Sequence, residues 1–190
     1  MAQQSRERAA LLLMDMQRGI IESHADAGFL ARITPAIAAA RTAALPVIWV
    51  RVVFRSGHPE VSQRNQQFST LRQTGRLIDG DEQSAIHPAL GREPGDMVVT
   101  KRRVGAFSGS DLDVVLRAAD INALVLAGIS TGGVVLSTVR LAADLDYRLT
   151  VLKDGCADAD PEVHRVLTEK VFPRQATVLT ISEWTSSVGA

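Results

Sequence analysis

The sequence has few of the features that mark secreted, zinc-binding or membrane-spanning proteins. Among its 190 residues there is one cysteine, Cys156. A single cysteine has no partner for a disulfide within the chain, and it provides too few thiolates for a cysteine-based zinc site. Because this cysteine usage is typical of a reducing compartment, we expect a cytoplasmic protein.

The chain also lacks an excess of charge of either sign, since Lys+Arg and Asp+Glu both number 21. Proteins that bind nucleic acid normally carry a basic excess or patch, and the pair Arg102-Arg103 is too short to supply one. Long hydrophobic runs are missing as well. The segment from Met1 to Arg8 is polar, and the apolar run after it is about six residues long, whereas a membrane span needs about 20. We therefore expect no signal peptide, no membrane contact and no nucleic-acid partner.

What the chain does contain is an ordinary globular composition, with 46% hydrophobic and 22% charged residues. Its length suits one domain, so we predict that residues 1–190 form a single domain. Short apolar runs predict six strands, at residues 9–14, 47–52, 97–100, 123–127, 148–152 and 176–181. Apolar residues at helical spacing alternate with them, at residues 27–44, 110–119, 131–145 and from 160 onward.

This alternation predicts an α/β fold in which a parallel sheet is covered by helices on both faces. Two helix starts have clear signals. Ser110 is predicted as an N-cap, and Asp160 is predicted to cap a helix that has Pro161 at its first position. Residues 54–90 are irregular, and a stretch of this length is usually functional or carries short helices.

Three of the predicted strands end in residues that can do chemistry. The first strand ends in Asp15, the third in Lys101, and the fourth runs into the glycine-rich turn 128–134, which opens a helix. Ligands bind outside the carboxyl ends of the strands of a parallel sheet. An acid, a base and a helix N-terminus at three strand ends therefore outline an active site.

Each of these three features also has a purely structural interpretation. A buried Asp15 would have a raised pKa and suit general acid or base catalysis, or it could cap the following loop. Lys101 could pair with Asp15 and stabilise negative charge, or it could belong to a solvated basic cluster with Arg102 and Arg103. The turn could attract an anion through its backbone N–H groups, or it could be a tight turn that needs glycine.

The sequence predicts neither a metal site nor a cofactor. The four histidines are not spaced as metal ligands, and the glycine-rich turn does not match the dinucleotide-binding fingerprint. His58 with Glu60, in the irregular segment, stays open as an alternative. Cys156 follows the fifth strand, where it could line the pocket or be a buried structural cysteine.

Three segments together resemble the isochorismatase-like hydrolase superfamily, often described as cysteine hydrolases, which includes nicotinamidases, N-carbamoylsarcosine amidases and isochorismatases. They are Leu12–Gln17 around Asp15, Val98–Leu112 with Lys101 and Phe107, and Leu126–Asp144 with the glycine-rich turn. The resemblance extends from Leu11 to about Thr180.

The resemblance implies a three-layer sandwich around a six-stranded parallel sheet in Rossmann-like order, with Asp15 and Lys101 as catalytic residues. It also implies a cis peptide bond between Ile129 and Ser130, and an oxyanion hole formed by the backbone N–H groups of Ser130 and Val134. Members of this family commonly assemble, so a homodimer or homotetramer is expected.

One departure from the family decides the predicted chemistry. The cysteine nucleophile of the family falls at Val134, which has no thiol, and the Asp-x-His metal motif of the family is absent. We therefore predict a hydrolase of a small, carboxylate-bearing metabolite that uses Asp15 as general acid or base without a cysteine nucleophile. Cleavage of a vinyl ether is the reaction of this kind that the family offers.

In this interpretation Lys101 orients or holds a substrate carboxylate. The substrate would be bound by Arg51, Arg102, Arg103, Phe107 and Thr131. Two alternatives remain: a catalytically silent relative that binds a small molecule, and an amidase with a displaced nucleophile, either Cys156 or Ser130.

Overall fold

Six parallel strands form one sheet at the centre of the fold. The structure is a computed structural model that describes residues 7–188, so the first six residues of the polar N-terminal segment and the last two residues of the chain lie outside it. The strands are β1 (Ala9–Met14), β2 (Val47–Val52), β3 (Met97–Lys101), β4 (Ala123–Ile129), β5 (Arg148–Ala157) and β6 (Thr177–Leu179). Their order across the sheet is β3-β2-β1-β4-β5-β6, and every neighbouring pair is parallel. The predicted α/β fold is confirmed.

The helices lie on both faces of this sheet. They are α1 (Arg18–His24), α2 (Phe29–Thr42), α3 (Leu71–Thr74), α4 (Leu112–Ala118), α5 (Leu136–Asp144), α6 (Pro161–Val166) and α7 (Ile181–Val188). A π-helical turn, Thr131–Val135, leads into α5, and a second one, Leu167–Val171, follows α6. In the described part of the chain, no helix has the length and apolar character needed to cross a membrane.

Alternation along β1 explains how the sheet builds two cores. Leu12 and Met14 face the core beneath α4 and α5, whereas Leu11 and Leu13 face the core beneath α2 and α7. All four side chains are fully buried. A parallel sheet whose faces are both covered needs apolar residues at successive positions, and this is why its strands read as continuous hydrophobic runs.

The strand bounds differ from the prediction mainly around β5 and β6. β5 continues to Ala157 because its pairing with β4 resumes at Gly128 and Cys156 after a register shift. The sixth strand ends at Leu179, because Thr180 starts a helix. The backbone N–H of Thr180 donates to the Glu183 carboxylate at 2.7 Å, and the Glu183 N–H donates to the Thr180 hydroxyl at 3.1 Å. This reciprocal capping box has a sequence signature that the strand prediction overlooked.

The helix predictions were good in the second half of the chain and weaker in the first. Helix α1 was not predicted, and α2 begins at Phe29. Asp160 accepts hydrogen bonds from the first-turn N–H groups of α6, as predicted. The residue that directly precedes α4 is Asp111, and not the predicted N-cap Ser110. The Ser110 hydroxyl nevertheless accepts a hydrogen bond from the Leu112 N–H at 3.3 Å.

Gly128 gives a direct test of how closely β1 and β4 approach. A methyl group on Gly128 would lie 3.0 Å from both the Cβ and the carbonyl oxygen of Met14, while one on Gly95 would meet nothing within 4 Å. We expect Gly128→Ala to lower the free energy of unfolding by about 1–3 kcal/mol, the usual penalty for overpacking. Urea denaturation would measure it, with Gly95→Ala as the matched control. Equal stability of the two variants would contradict this close approach of β1 and β4.

Candidate active site

The candidate site lies where the direction of the sheet reverses. β1 and β4 are neighbours, and the chain continues outward to β2 and β3 on one side and to β5 and β6 on the other. Such a switch point leaves a crevice outside the carboxyl ends of the two central strands. Asp15 directly follows β1 and Ser130 directly follows β4, so the fold places both residues at this crevice.

Asp15 and Lys101 form a buried ion pair at the crevice. Lys101 ends β3 and reaches past the end of β2, so that its Nζ lies 2.9 Å from Asp15 Oδ2, with side-chain exposures of 1% for Lys101 and 7% for Asp15. Asp15 adopts a left-handed backbone conformation, with φ of 58°, which aspartate tolerates better than most residues. The pair predicted from two strand ends is therefore present.

The Lys101 ammonium group uses all of its donors. Besides Asp15 Oδ2, it donates to the carbonyl oxygens of Arg103 and Val104, each at 3.0 Å. An ammonium group has three donors, so these contacts leave none for the substrate carboxylate that the sequence interpretation assigned to Lys101. Its position supports a different role, which is to hold and orient Asp15.

Asp15 keeps one oxygen without a partner. Oδ1 is buried and accepts no hydrogen bond from the described residues. Burial raises the pKa of Asp15 above its ordinary value of 3.8, and this effect outweighs the lowering effects of the Lys101 charge and hydrogen bond and of the nearby Val52 backbone N–H. Because Oδ2 accepts the bond from Lys101, Oδ1 is the oxygen on which a proton can reside.

The turn after β4 is held by its own backbone and by the neighbouring β5 region. The peptide bond between Ile129 and Ser130 is cis, as the family resemblance implied. The Ser130 carbonyl accepts bonds from two N–H groups farther along the turn. From the β5 side, the Asp158 carboxylate accepts the Gly132 N–H at 2.7 Å, and Thr131 Oγ1 lies 2.8 Å from His164 Nδ1.

A cavity of about 190 Å³ lies against the ion pair and the turn. At roughly 30 Å³ per water molecule, it has room for about six waters or one compact metabolite. Asp15, Lys101, Ser130 and Val134 all line it. The rest of its wall includes Ile20 and His24 from α1, Gln67, Phe68 and Leu71, and the pair Arg76 and Leu77.

No thiol lines this cavity within the part of the chain described. The position that the resemblance assigns to the family's cysteine holds Val134, which is 2% exposed and belongs to the core beneath α4 and α5. Cys156 lies on β5 and is not among the cavity residues. Burial raises the pKa of its thiol to about 12, so it is a buried structural cysteine with a poorly ionised thiol.

The five residues predicted to bind substrate do not line the cavity. Arg51 pairs with Asp79 at 3.0 Å, and Arg102 pairs with Glu60 at 3.3 Å. The Arg103 guanidinium donates to backbone carbonyl oxygens. Phe107 packs against Tyr147 with ring centroids 6.0 Å apart, and Thr131 faces His164. These residues are close to the site in sequence, but their side chains have other partners.

The open alternative of a metal site at His58 and Glu60 finds other partners instead. His58 Nε2 lies 2.7 Å from the Arg76 carbonyl oxygen, to which it must donate, and Glu60 pairs with Arg55 and Arg102. Across residues 7–188, no group of three or more His, Cys, Asp or Glu side chains is arranged to hold a metal ion.

One part of the cavity wall was not predicted from the sequence. His24 belongs to the unpredicted α1, while Gln67 and Arg76 belong to the irregular segment 54–90. The length of that segment, which suggested a functional loop, was the one available signal.

Comparisons with known proteins agree with this geometry. The isochorismatase domain family matches residues 9–183. The uncharacterized isochorismatase family protein YecD of Escherichia coli O157:H7 is 32% identical over 186 residues, covering 92% of this chain and 93% of that protein. The ureidoacrylate amidohydrolase RutB of Stutzerimonas stutzeri is 32% identical over 207 residues, covering 95% of this chain and 80% of that protein.

Among solved structures, an isochorismatase family protein from Burkholderia thailandensis superimposes with a TM-score of 0.83 at 30% identity, covering 96% of each chain. The family match spans most of the sequence, and the strand order, the cis peptide and the acid–lysine pair occur together in one chain. This protein belongs to the isochorismatase family of hydrolases.

Proposed function

We propose that this protein hydrolyses a small metabolite without forming a covalent enzyme intermediate, and that Asp15 is its general acid. The observation that carries the proposal is the composition of the cavity. It contains the buried pair of Asp15 and Lys101, but Val134 stands where the family has its cysteine. A valine side chain cannot attack a carbonyl carbon, so the remaining chemistry is proton transfer and water attack.

Hydrolysis of a vinyl ether consists of these two steps, followed by breakdown of the adduct that they form. Asp15 Oδ1 gives its proton to the terminal alkene carbon, and the ether oxygen stabilises the cation that forms at the adjacent carbon. Water adds to that carbon and returns a proton to Asp15. The resulting hemiketal then breaks its carbon–oxygen bond to release a ketone and an alcohol. General acid catalysis of this kind typically contributes a factor of about 10²–10⁴ in rate.

The surroundings of Asp15 suit this role. Lys101 fixes the carboxyl group through Oδ2, which leaves Oδ1 for the proton. Apolar side chains such as Val52, Phe68 and Leu71 line the same cavity, and Asp15 itself is buried. The same burial keeps the pKa of Asp15 raised, which matches a group that must carry a proton before it reacts.

Amide hydrolysis is a second candidate because several relatives, including those of Stutzerimonas stutzeri and Pantoea ananatis, are named ureidoacrylate amidohydrolase. Without a thiol, water would attack the carbonyl carbon and Asp15 would accept its proton. The backbone N–H groups of Ser130 and Val134 would then stabilise the oxyanion. This route uses the ionised form of Asp15, whereas hydrolysis of a vinyl ether uses its protonated form.

A protein that binds such a metabolite without turning it over is the third candidate. It predicts ligand binding to the wild-type protein with no hydrolysis of 2-methoxyacrylate, a simple vinyl ether, or of ureidoacrylate. Assaying both compounds alongside a binding measurement separates the three candidates.

Replacing the acid tests the mechanism directly. We expect Asp15→Asn to lower kcat for hydrolysis of 2-methoxyacrylate by about 100-fold or more, since the proton donor is lost. Pyruvate release in a coupled assay would measure it, with Asp79→Asn as a control carboxylate outside the cavity. Because Lys101 would be left buried without its counter-charge, at a cost of about 3–5 kcal/mol, thermal unfolding should be followed in parallel. The double variant Asp15→Asn/Lys101→Met removes both charges, and full activity in either variant would contradict the mechanism.

The pH dependence has a definite sign. A general acid works in its protonated form, and burial raises the pKa of Asp15 above 3.8. After subtraction of the uncatalysed rate, we expect kcat/KM to be highest at low pH and to fall as pH rises through this raised pKa. A pH–rate profile from pH 4 to pH 9 on 2-methoxyacrylate would show this limb. A rate that increases with pH would indicate that Asp15 acts as a base.

Restoring a thiol at the turn tests the meaning of Val134. We expect wild-type activity to resist iodoacetamide, since the only cysteine is buried with a thiol pKa of about 12. Val134→Cys should become sensitive to alkylation and gain hydrolysis of ureidoacrylate, and Val134→Ala is the control without a thiol. Inactivation of the wild-type protein by alkylation, prevented by Cys156→Ala, would instead support a displaced nucleophile.

A further inference from the structure

Arg76 is a cavity residue whose charge the structure leaves uncompensated. Arg76 lines the cavity together with Asp15 and Lys101, and it also lines a second surface pocket. Within residues 7–188, the Arg76 guanidinium forms no hydrogen bond, and no carboxylate lies within the 4.0 Å of an ion pair. A guanidinium group presents five donors in a planar fork that matches a carboxylate, so an unpaired one at a cavity wall is a candidate anion receptor.

The neighbouring arginines show that an unpaired guanidinium is unusual in this region. The side chains of five of them already have acceptors: Arg51, Arg55, Arg72, Arg102 and Arg103. Arg64 shares with Arg76 the lack of an acceptor among the described residues, but it does not line the cavity. Arg76 therefore combines two properties that these residues do not, a free guanidinium and a place at the site.

The backbone of Arg76 is held firmly although its side chain is exposed. The buried His58 ring donates from Nε2 to the Arg76 carbonyl oxygen at 2.7 Å, and the Phe54 N–H donates to the Leu77 carbonyl oxygen at 2.7 Å. The residues on either side, Gly75 and Leu77, adopt left-handed conformations with φ of 63° and 60°. Since its backbone is anchored, the guanidinium loses less freedom when it binds a ligand than it would on a mobile loop.

The charge of the cavity favours an anion in the state that the reaction uses. When Asp15 carries its proton, the Lys101 ammonium has no counter-charge, and Arg76 adds a second positive charge to the lining of the cavity. The donors of Lys101 are occupied by Asp15 and two backbone carbonyls. Arg76 is then the lining cation that is free to form a bidentate contact.

We propose that Arg76 binds the carboxylate of the substrate and selects small carboxylates over neutral compounds of the same shape. This inference rests on the proposed function, because it assigns the anion-binding group of that same cavity. The carboxylate contact is thereby assigned to Arg76 in the irregular segment 54–90, and not to Lys101 or to the arginines that follow it.

Binding, measured separately from turnover, tests the assignment. The probes are 2-methoxypropanoate, a saturated analogue that cannot undergo vinyl-ether hydrolysis, and its neutral amide, 2-methoxypropanamide. By isothermal titration calorimetry we expect the wild-type protein to bind the carboxylate more tightly than the amide. Arg76→Gln should weaken carboxylate binding by about tenfold or more, which corresponds to about 1.4 kcal/mol, and leave amide binding unchanged. Arg76→Lys should retain part of the affinity because it keeps the charge but loses the fork.

The control variant is Arg64→Gln, which removes the same charge from an exposed arginine away from the cavity and should leave both affinities unchanged. Equal losses in Arg64→Gln and Arg76→Gln, equal binding of the two probes by the wild-type protein, or no binding of the carboxylate would each overturn the assignment.

The same experiment separates this inference from the proposed function. Binding of the carboxylate that depends on Arg76, with no hydrolysis of 2-methoxyacrylate, would leave the anion site standing and reject the catalytic proposal. Hydrolysis of 2-methoxyacrylate and of its amide at equal kcat/KM would support the catalytic proposal and reject the anion site at Arg76.

Discussion

The buried ion pair of Asp15 and Lys101 is the interaction on which the site depends. Removing two opposite charges from water costs several kcal/mol per ion, and the cost is recovered only where geometry and additional hydrogen bonds are good. Here three adjacent strands supply that geometry. Asp15 follows β1, Lys101 ends β3, and β2 between them sets their separation through its register with both neighbours. A shift in either register would separate the charges, so the sheet and the site constrain each other.

Gln17 shows how the loop after β1 is fixed around this pair. Its side-chain oxygen accepts the Val52 N–H at 2.8 Å, while its amide group donates to the carbonyl oxygens of Val52 and Ser84 at 3.0 and 2.8 Å. The Gln17 side chain is fully buried, and it joins the end of β2 to the irregular segment 54–90, which contains Ser84. Asp15 is thus held on one side by Lys101 and followed closely by a residue that ties the loop to its neighbours.

In the proposed function, Val134 excludes the thiol chemistry that the family resemblance would otherwise imply. The valine packs into the core, and the turn is braced by Asp158 and His164 from outside the cavity. The valine supplies no thiol, whereas the acid, the lysine and the turn after β4 all line the same cavity. The same scaffold is therefore consistent with a proton-transfer reaction. In our proposal, Arg76 adds to the cavity a group that binds a negatively charged substrate.

The α/β class, the strand that precedes each chemical group and the lack of a thiol at Val134 could all be predicted from the amino-acid sequence. These follow from local patterns, since a strand buried on both faces must be a hydrophobic run and a missing thiol is visible in one letter. Tertiary structure decided which side chains face the cavity. Arg102 and Arg103 adjoin Lys101 in sequence but bond to Glu60 and to backbone oxygens, whereas Arg76 reaches the cavity from a segment 25 residues upstream of Lys101. Contacts between distant segments depend on packing and on competition for partners, and no periodicity in the sequence records them.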